Sequence, residues 1–261
     1  MMEMSEIVKC FPDYIREQGF KQDMLREYLQ FEILKIIFES KHASAYTFLG
    51  GTCLHLVYGT ERFSEDLDFD NVGLSAADFE ETGRAVQKGL ELLGYKTIIK
   101  FSHKDAFHCK VTFPGILYDY GLSGHKEARI FIKLDTEKQD YGYQRELVRI
   151  QKFGVDTDIF VTPPDLLASQ KIAAVLGRKR PKGRDFYDLT WLLEQGHTPD
   201  YGYLDTRFGI TGPAELRLRV AEHIASFDFE QLARDVAPFL FRAESLELVR
   251  GFPGFWVRVE L

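Results

Sequence analysis

Cysteine and tryptophan are scarce in this chain, and basic residues are outnumbered. Its 261 residues include 3 Cys, 2 Trp and 9 Pro, with 33 Lys and Arg against 40 Asp and Glu and a formal net charge of -7. Cys10, Cys53 and Cys109 are odd in number and widely spaced, so they build neither a disulfide framework nor the paired clusters of a zinc site. The negative total excludes coating of nucleic acid through bulk charge and leaves only a local basic patch for that purpose. No basic-then-apolar leader opens the sequence. The most apolar stretch, residues 31–38, is short and contains Glu32 and Lys35. Neither secretion nor membrane insertion is expected, and a reduced, cytoplasmic protein is. Also missing are a glycine-lysine phosphate loop of the NTPase type, a serine in a nucleophile elbow, internal repeats and low-complexity segments. The seven histidines, His55, His103 and His108 among them, fall at no metal-ligand spacing and read as surface or core residues.

What is present is a hydrophobic fraction of 45%, enough for one large domain or two small ones. Apolar residues recur at three- and four-residue steps over residues 22–39, which predicts a long, half-buried helix. A short aromatic and β-branched run at 45–49 stops at Gly50-Gly51 and gives way to a helical pattern at 53–58. Residues 66–72 alternate carboxylates with Leu67, Phe69 and Val72, the period of a strand with one acidic and one packed side. Ser75 caps a helix over 76–93, with Gly94 as its left-handed stop. Strands follow at 95–101, 106–113, 128–135, 147–153 and 158–162, and then Pro163-Pro164 ends the strand-rich part. Helices are expected at 164–177, 185–195, 213–225 and 229–241, a long loop at 196–212, and a last strand-like run at 255–259. The division is an α/β core over 1–162 and a helical subdomain over 163–261.

Chemistry concentrates in two places. In the first, a strand enters Gly50-Gly51-Thr52, thirteen residues intervene, and Asp66-Leu67-Asp68 follows. A double glycine lets backbone approach an anion closely, and the N–H groups at Thr52 and Cys53 point towards it, as in a phosphate cradle. Asp66 and Asp68, two apart on a strand, project from one face and repel each other unless a divalent cation lies between them. Oxygen-only donors favour Mg²⁺ or Mn²⁺. In the second place Lys171 precedes a basic run of Arg178, Lys179, Arg180, Lys182 and Arg184, broken by Pro181 and Gly183. This run is either a solvated loop or a source of cations for triphosphate or an RNA backbone. Asp185 and Asp188 share a helix face. Asp185 caps that helix, positions nucleotide or acceptor, or acts as a general base.

The strings Phe48-Leu49-Gly50-Gly51-Thr52-Cys53-Leu54 and Arg62-Phe63-Ser64-Glu65-Asp66-Leu67-Asp68-Phe69 resemble the AbiEii/AbiGii toxin branch of the polymerase-beta-like nucleotidyltransferases. Lys171-Ile172-Ala173-Ala174 and Arg184-Asp185-Phe186-Tyr187-Asp188-Leu189 are similar to that branch's later motifs. The resemblance implies an α/β (α+β) nucleotidyltransferase fold with a mixed sheet, flanking helices and a C-terminal helical subdomain that closes over a triphosphate. It implies a third metal-binding carboxylate on a neighbouring strand. Asp135 is the nominee, with Glu127, Asp140 and Asp119 as competitors. In that scheme Asp66, Asp68 and Asp135 hold Mg²⁺, while Gly50, Gly51, Thr52 and Ser64 meet the NTP. Lys171, Arg178 and Arg184 balance charge, and Asp185 and Asp188 position substrate. An acceptor hydroxyl attacks the α-phosphorus and pyrophosphate leaves. The implied role is the toxin of a toxin–antitoxin or abortive-infection system, with RNA, especially the tRNA 3′ end, as acceptor and a cognate antitoxin as partner. Transfer of the γ-phosphoryl group, adenylylation of a protein, and nucleotide sensing without turnover stay open as alternatives.

Overall fold

The computed structural model describes residues 1–103 and 106–261. Contacts divide them into two compact units. The first comprises Met1–Val57, Phe63–Asp140 and Arg145–Val161; the second comprises Tyr58–Arg62, Tyr141–Gln144 and Thr162–Leu261. Two short pieces of the sequence-defined core thus group with the helical unit.

In chain order the first unit contains α1 (Met4–Lys9), α2 (Asp13–Arg16), α3 (Lys21–Phe38), β1 (Tyr46–Leu49), α4 (Gly50–Leu56), β2 (Leu67–Asn71) and α5 (Ala76–Leu92). It continues with β3 (Ile98–His103), β4 (Phe107–Phe113), α6 (Ile116–Asp119), β5 (Ile130–Lys138), β6 (Glu146–Lys152) and β7 (Val155–Val161). The strands form one mixed sheet in the order β3-β4-β5-β2-β1-β7-β6. β2 runs antiparallel to β1 and parallel to β5. α5 carries the expected cap, with Ser75 Oγ accepting from the Asp78 N–H and Asp78 reaching back to Ser75. Gly94 follows it with φ of +93°, as the left-handed stop requires.

α3 is more deeply buried than its periodicity predicts. It packs against β5 and β7 as well as α1 and α5, so even Arg26, Glu27 and Gln30 are buried along with Leu25, Leu29, Ile33 and Leu34. Glu27 tolerates this because His55 Nε2 lies 2.8 Å and Lys152 Nζ 2.6 Å from its oxygens. Burial raises its pKa, but His55 and Lys152 outweigh that and hold the carboxyl below its usual value. β2 keeps Leu67, Phe69 and Asn71 on its packed side. Val72 lies beyond the strand and is exposed, because Asn71 turns the chain by exchanging hydrogen bonds with the backbone of Leu74.

The second unit holds α7 (Pro164–Gly177), α8 (Gly183–Glu194), α9 (Tyr201–Phe208), α10 (Pro213–Ile224), α11 (Phe229–Val236), α12 (Glu247–Arg250) and α13 (Phe252–Arg258). Its core centres on Phe186 of α8, whose ring meets Phe252 at 4.9 Å and Phe229 at 5.2 Å. Gly183 opens α8 because a Cβ there would stand 1.8 Å from the Leu232 carbonyl oxygen of α11. Three expectations are corrected here. The long loop contains α9, capped by the Asp200 side chain and ended by left-handed Gly209. The helix expected to reach 241 stops at Val236 and tightens into a 3₁₀ turn over Ala237–Phe239. The strand-like C-terminal run is α13, which buries Phe252 and Trp256 on one face at helical spacing. Among the described residues no helix is long and apolar enough to cross a membrane.

Candidate active site

The acidic strand is placed by its neighbours. β1 ends at Leu49, opposite Asp68, and the chain turns at Gly50 with φ of +79° before α4 begins. α4 starts at Gly50 rather than at Cys53, so both glycines lie in its first turn. A Cβ on Gly50 would come 2.5 Å from Asp68 Oδ2, and only glycine leaves that carboxylate its place. Thr52 lies in the same turn, and its hydroxyl donates to the Asp66 carbonyl. From the other side the buried Gln30 amide of α3 donates to the carbonyls of Ser64 at 3.0 Å and Glu65 at 3.1 Å. The backbone from Ser64 to Asp66 is therefore clamped from two elements.

Parallel pairing of β2 with β5 sets Asp68 beside Asp135 as register partners, so both side chains leave the same face of the sheet. Asp66 precedes β2 by one residue and points the same way as Asp68. Its Oδ2 is 3.7 Å from Lys133 Nζ. Asp135 Oδ1 is 2.9 Å from His108 Nδ1, the residue opposite it on β4. The Asp66 and Asp135 side chains are 27% and 30% exposed, open to solvent and to a ligand. Of the competitors for the third position, Asp119 belongs to α6, and Glu127 and Asp140 lie outside the strands. Among the described residues, the trio with His, Asp or Glu ligating atoms all within 4.8 Å is a different one, His42, Asp78 and Glu81. There Lys41 neutralises Glu81 at 2.7 Å and Ser75 occupies Asp78. Asp66, Asp68 and Asp135 are aligned by register and held apart, an all-oxygen donor set that fits a hard divalent cation.

His108 and Lys133 were not legible as site residues. Alternation puts them on the outer faces of their strands, but only cross-strand register brings them to Asp135 and Asp66. Gln30 was equally silent, a polar position within an apolar helix.

The later motifs form a separate cluster inside the helical unit. Lys171 Nζ lies 2.7 Å from Asp188 Oδ2 and 3.3 Å from Asp185 Oδ1, and Arg178 Nε lies 2.9 Å from Asp185 Oδ2. The third cation is Arg62, which forks onto both oxygens of Asp188 at 2.7 Å each. Asp188 has no exposed surface and Asp185 has 1%. Burial raises the Asp188 pKa, but Arg62 and Lys171 more than offset this and hold it below 3.8. Asp185 does not cap α8. Lys182 stands at that position, and Asp185 sits in the first turn, where the helix dipole favours a carboxylate. Arg184 is half-buried and, among the described residues, has no ion pair, while Arg178, Lys179 and Arg180 are exposed. Arg62 was visible only as part of the Arg62-to-Phe69 string, with nothing local to mark it as Asp188's partner.

A strand, a double glycine and a helix, followed by carboxylates on adjacent strands of a mixed sheet, make up the candidate site. The chain belongs to the family described as nucleotidyl transferase AbiEii toxin, type IV toxin–antitoxin system, whose model matches residues 32–247. It is thus a nucleotidyltransferase toxin of such a system, and membership implies a cognate antitoxin. Among solved structures its fold is similar to MenT4, a nucleotidyltransferase toxin from Mycobacterium tuberculosis H37Rv. That match has TM-score 0.59 and 15% identity over 100% of this chain and 91% of that one. It is also similar to a putative nucleotidyltransferase from H. pylori, with TM-score 0.56 and 17% identity over 90% of this chain and 94% of that one. A further likeness is to JHP933 from Helicobacter pylori, with TM-score 0.54 and 18% identity over 90% and 91%. No curated protein matches.

Proposed function

We propose that this toxin transfers a nucleoside monophosphate from an NTP to an acceptor hydroxyl on RNA, with the tRNA 3′ end as the favoured acceptor. The observation that carries the reading is the Asp68–Asp135 register pair with glycine at position 50 beside it. Asp66, Asp68 and Asp135 would hold Mg²⁺ or Mn²⁺, which when bound offsets charge on the phosphoryl oxygens during in-line displacement. The N–H groups at Gly51 and Thr52 suit the triphosphate, with Ser64 at the edge of the clamped loop. His108 keeps Asp135 oriented at 2.9 Å, and Lys133 adds positive charge 3.7 Å from Asp66. Arg184, Lys179 and Arg180 are the residues of the helical unit proposed to meet anionic substrate, whereas Arg178 is held by Asp185 at 2.9 Å. Lys171, Asp185 and Asp188 act by positioning, since their charges are spent on one another and on Arg62. The acceptor oxygen bonds to the α-phosphorus as the bond to pyrophosphate breaks, and the hydroxyl proton is released.

Parallel incubations with α- and γ-labelled NTPs, Mg²⁺, total tRNA and cell extract test this. α-label entering RNA with the wild type and not with Asp66→Ala is the expected result. γ-label transfer would replace the reading by phosphotransfer, α-label in protein by protein adenylylation, and binding without any transfer by nucleotide sensing.

A further inference from the structure

One face of β3, β4 and β5 packs against α5, with Phe101 of β3 against Phe79 at 6.1 Å, while on the opposite, open face Ile98, Lys100, Lys110, Phe131 and Lys133 are exposed. Register arranges the open face in rows across the strands. Lys100, Lys110 and Lys133 pair in succession and lead to Asp66. The next row is Ser102, His108, Asp135 and Asp68. On the other side of the lysines lie Ile98, Thr112 and Phe131, with Ile98 51% and Phe131 41% exposed. Lys110 Nζ stands 4.0 Å from the Phe131 ring centre.

Like charges directly opposite on neighbouring strands oppose pairing, and adjacent strands are only about 4.8 Å apart. Three lysines in one row therefore need a reason. Protection of a sheet edge accounts for Lys100, because β3 is the edge strand, but not for Lys110 and Lys133 on interior strands. Among the described residues Lys100 and Lys110 have no carboxylate partner, and Lys133 has only Asp66 at 3.7 Å. On a chain of net charge -7 this is a cationic stripe with an exposed aromatic ring beside it.

We propose that the open face of β3, β4 and β5 binds a single-stranded RNA end, the lysine row taking its phosphates and Phe131 stacking a base. The strand would lie across the sheet and deliver its terminal hydroxyl to the Asp68–Asp135 pair. A line of phosphates with flat bases to one side matches a lysine row with an exposed aromatic ring beside it, a pairing that an acidic peptide does not offer. The surface stands on its own geometry; only its naming as the acceptor site rests on the nucleotidyl-transfer reading.

The test uses the full chain and a short 5′-fluorescein single-stranded RNA of mixed sequence, read by anisotropy without NTP. Lys100→Gln/Lys110→Gln is expected to weaken binding about tenfold and to reduce the slope of log K against log salt by about 1.4, between about 50 and 200 mM. Phe131→Ala is expected to weaken it about tenfold through lost stacking. Lys88→Gln on α5 serves as the matched surface control. Binding within twofold of wild type in both variants, or equal loss in the control, overturns the proposal. So does failure of wild type to bind RNA while a labelled protein acceptor appears. Label transfer run alongside separates the two readings. Lysine-dependent RNA binding with no transferred label keeps the surface and removes the transferase. Transfer to RNA with an unchanged KM for RNA in the double variant does the reverse.

Discussion

The molecule contains two aspartate clusters of similar spelling and opposite fate. Asp66 and Asp68 join Asp135 on a sheet face, where the Asp66 and Asp135 side chains are partly exposed, with Lys133 3.7 Å from Asp66 and His108 2.9 Å from Asp135. Asp185 and Asp188 are buried in a helical unit and ion-paired with Lys171, Arg178 and the forked Arg62. The first arrangement keeps carboxylates on a face that solvent reaches. The second neutralises them internally and uses them to tie α7, α8 and the 58–62 segment together. A buried carboxylate that must stay ionised demands its cations in place, whereas one that serves a metal must be left short of them.

The comparison breaks most sharply at Asp68. Asp68→Asn should cut label transfer about 10³-fold or more, the scale of several kcal/mol of lost transition-state stabilisation, with melting temperature unchanged. If melting falls and transfer survives, the open cluster is structural. The mirror test is Arg62→Met, which strands Asp188 and should cost about 3 to 5 kcal/mol in urea unfolding, while Arg62→Met/Asp188→Leu recovers much of that loss. Equal destabilisation by the single and double variants would show that the pair itself supplies the stability. Gly50→Ala sharpens the first cluster without touching a charge. Its methyl would displace the Asp68 carboxylate, and transfer should drop about 10²-fold, with stability lowered by about 1 to 2 kcal/mol from the positive φ. The smallest effect is a pH dependence. Because the Asp188 carboxyl is held below 3.8 in the folded chain, its contribution is fully present above that value and is lost as pH falls through the lowered one. Acid unfolding of wild type should therefore be steeper below about pH 4 than that of Asp188→Asn, as read by circular dichroism.

Legibility followed the range of the interactions. Period-2 alternation marked Asp66 and Asp68 as sharing a face, and Ser75 with Gly94 bounded α5, because each signal lies within one turn or one strand. Asp135 stands out only by its place at the end of an apolar run, and its pairing with Asp68 depends on which strand lies beside β2. His108, Lys133 and Gln30 carried no local mark. Where local signals misled, tertiary burial had overridden them. Phe255 to Val259 reads as a strand by composition, yet Phe252 and Trp256 need one shared face to fill the helical core. The stretch 196–212 reads as a loop because its capping residues Asp200 and Gly209 are also turn residues.

By itself the sequence determined an α/β core followed by a helical region, the glycine turn before an acidic strand, and the residue types for phosphate and divalent-cation chemistry. Helix and strand periods and the φ freedom of glycine are local properties of the chain. Only the tertiary structure decided which carboxylates stay open and which are closed, that Arg62 rather than nucleotide meets Asp188, and that three lysines from three strands fall in one row. Those outcomes depend on strand order, register and burial, which bring together residues up to 126 positions apart and so leave no trace in local spacing.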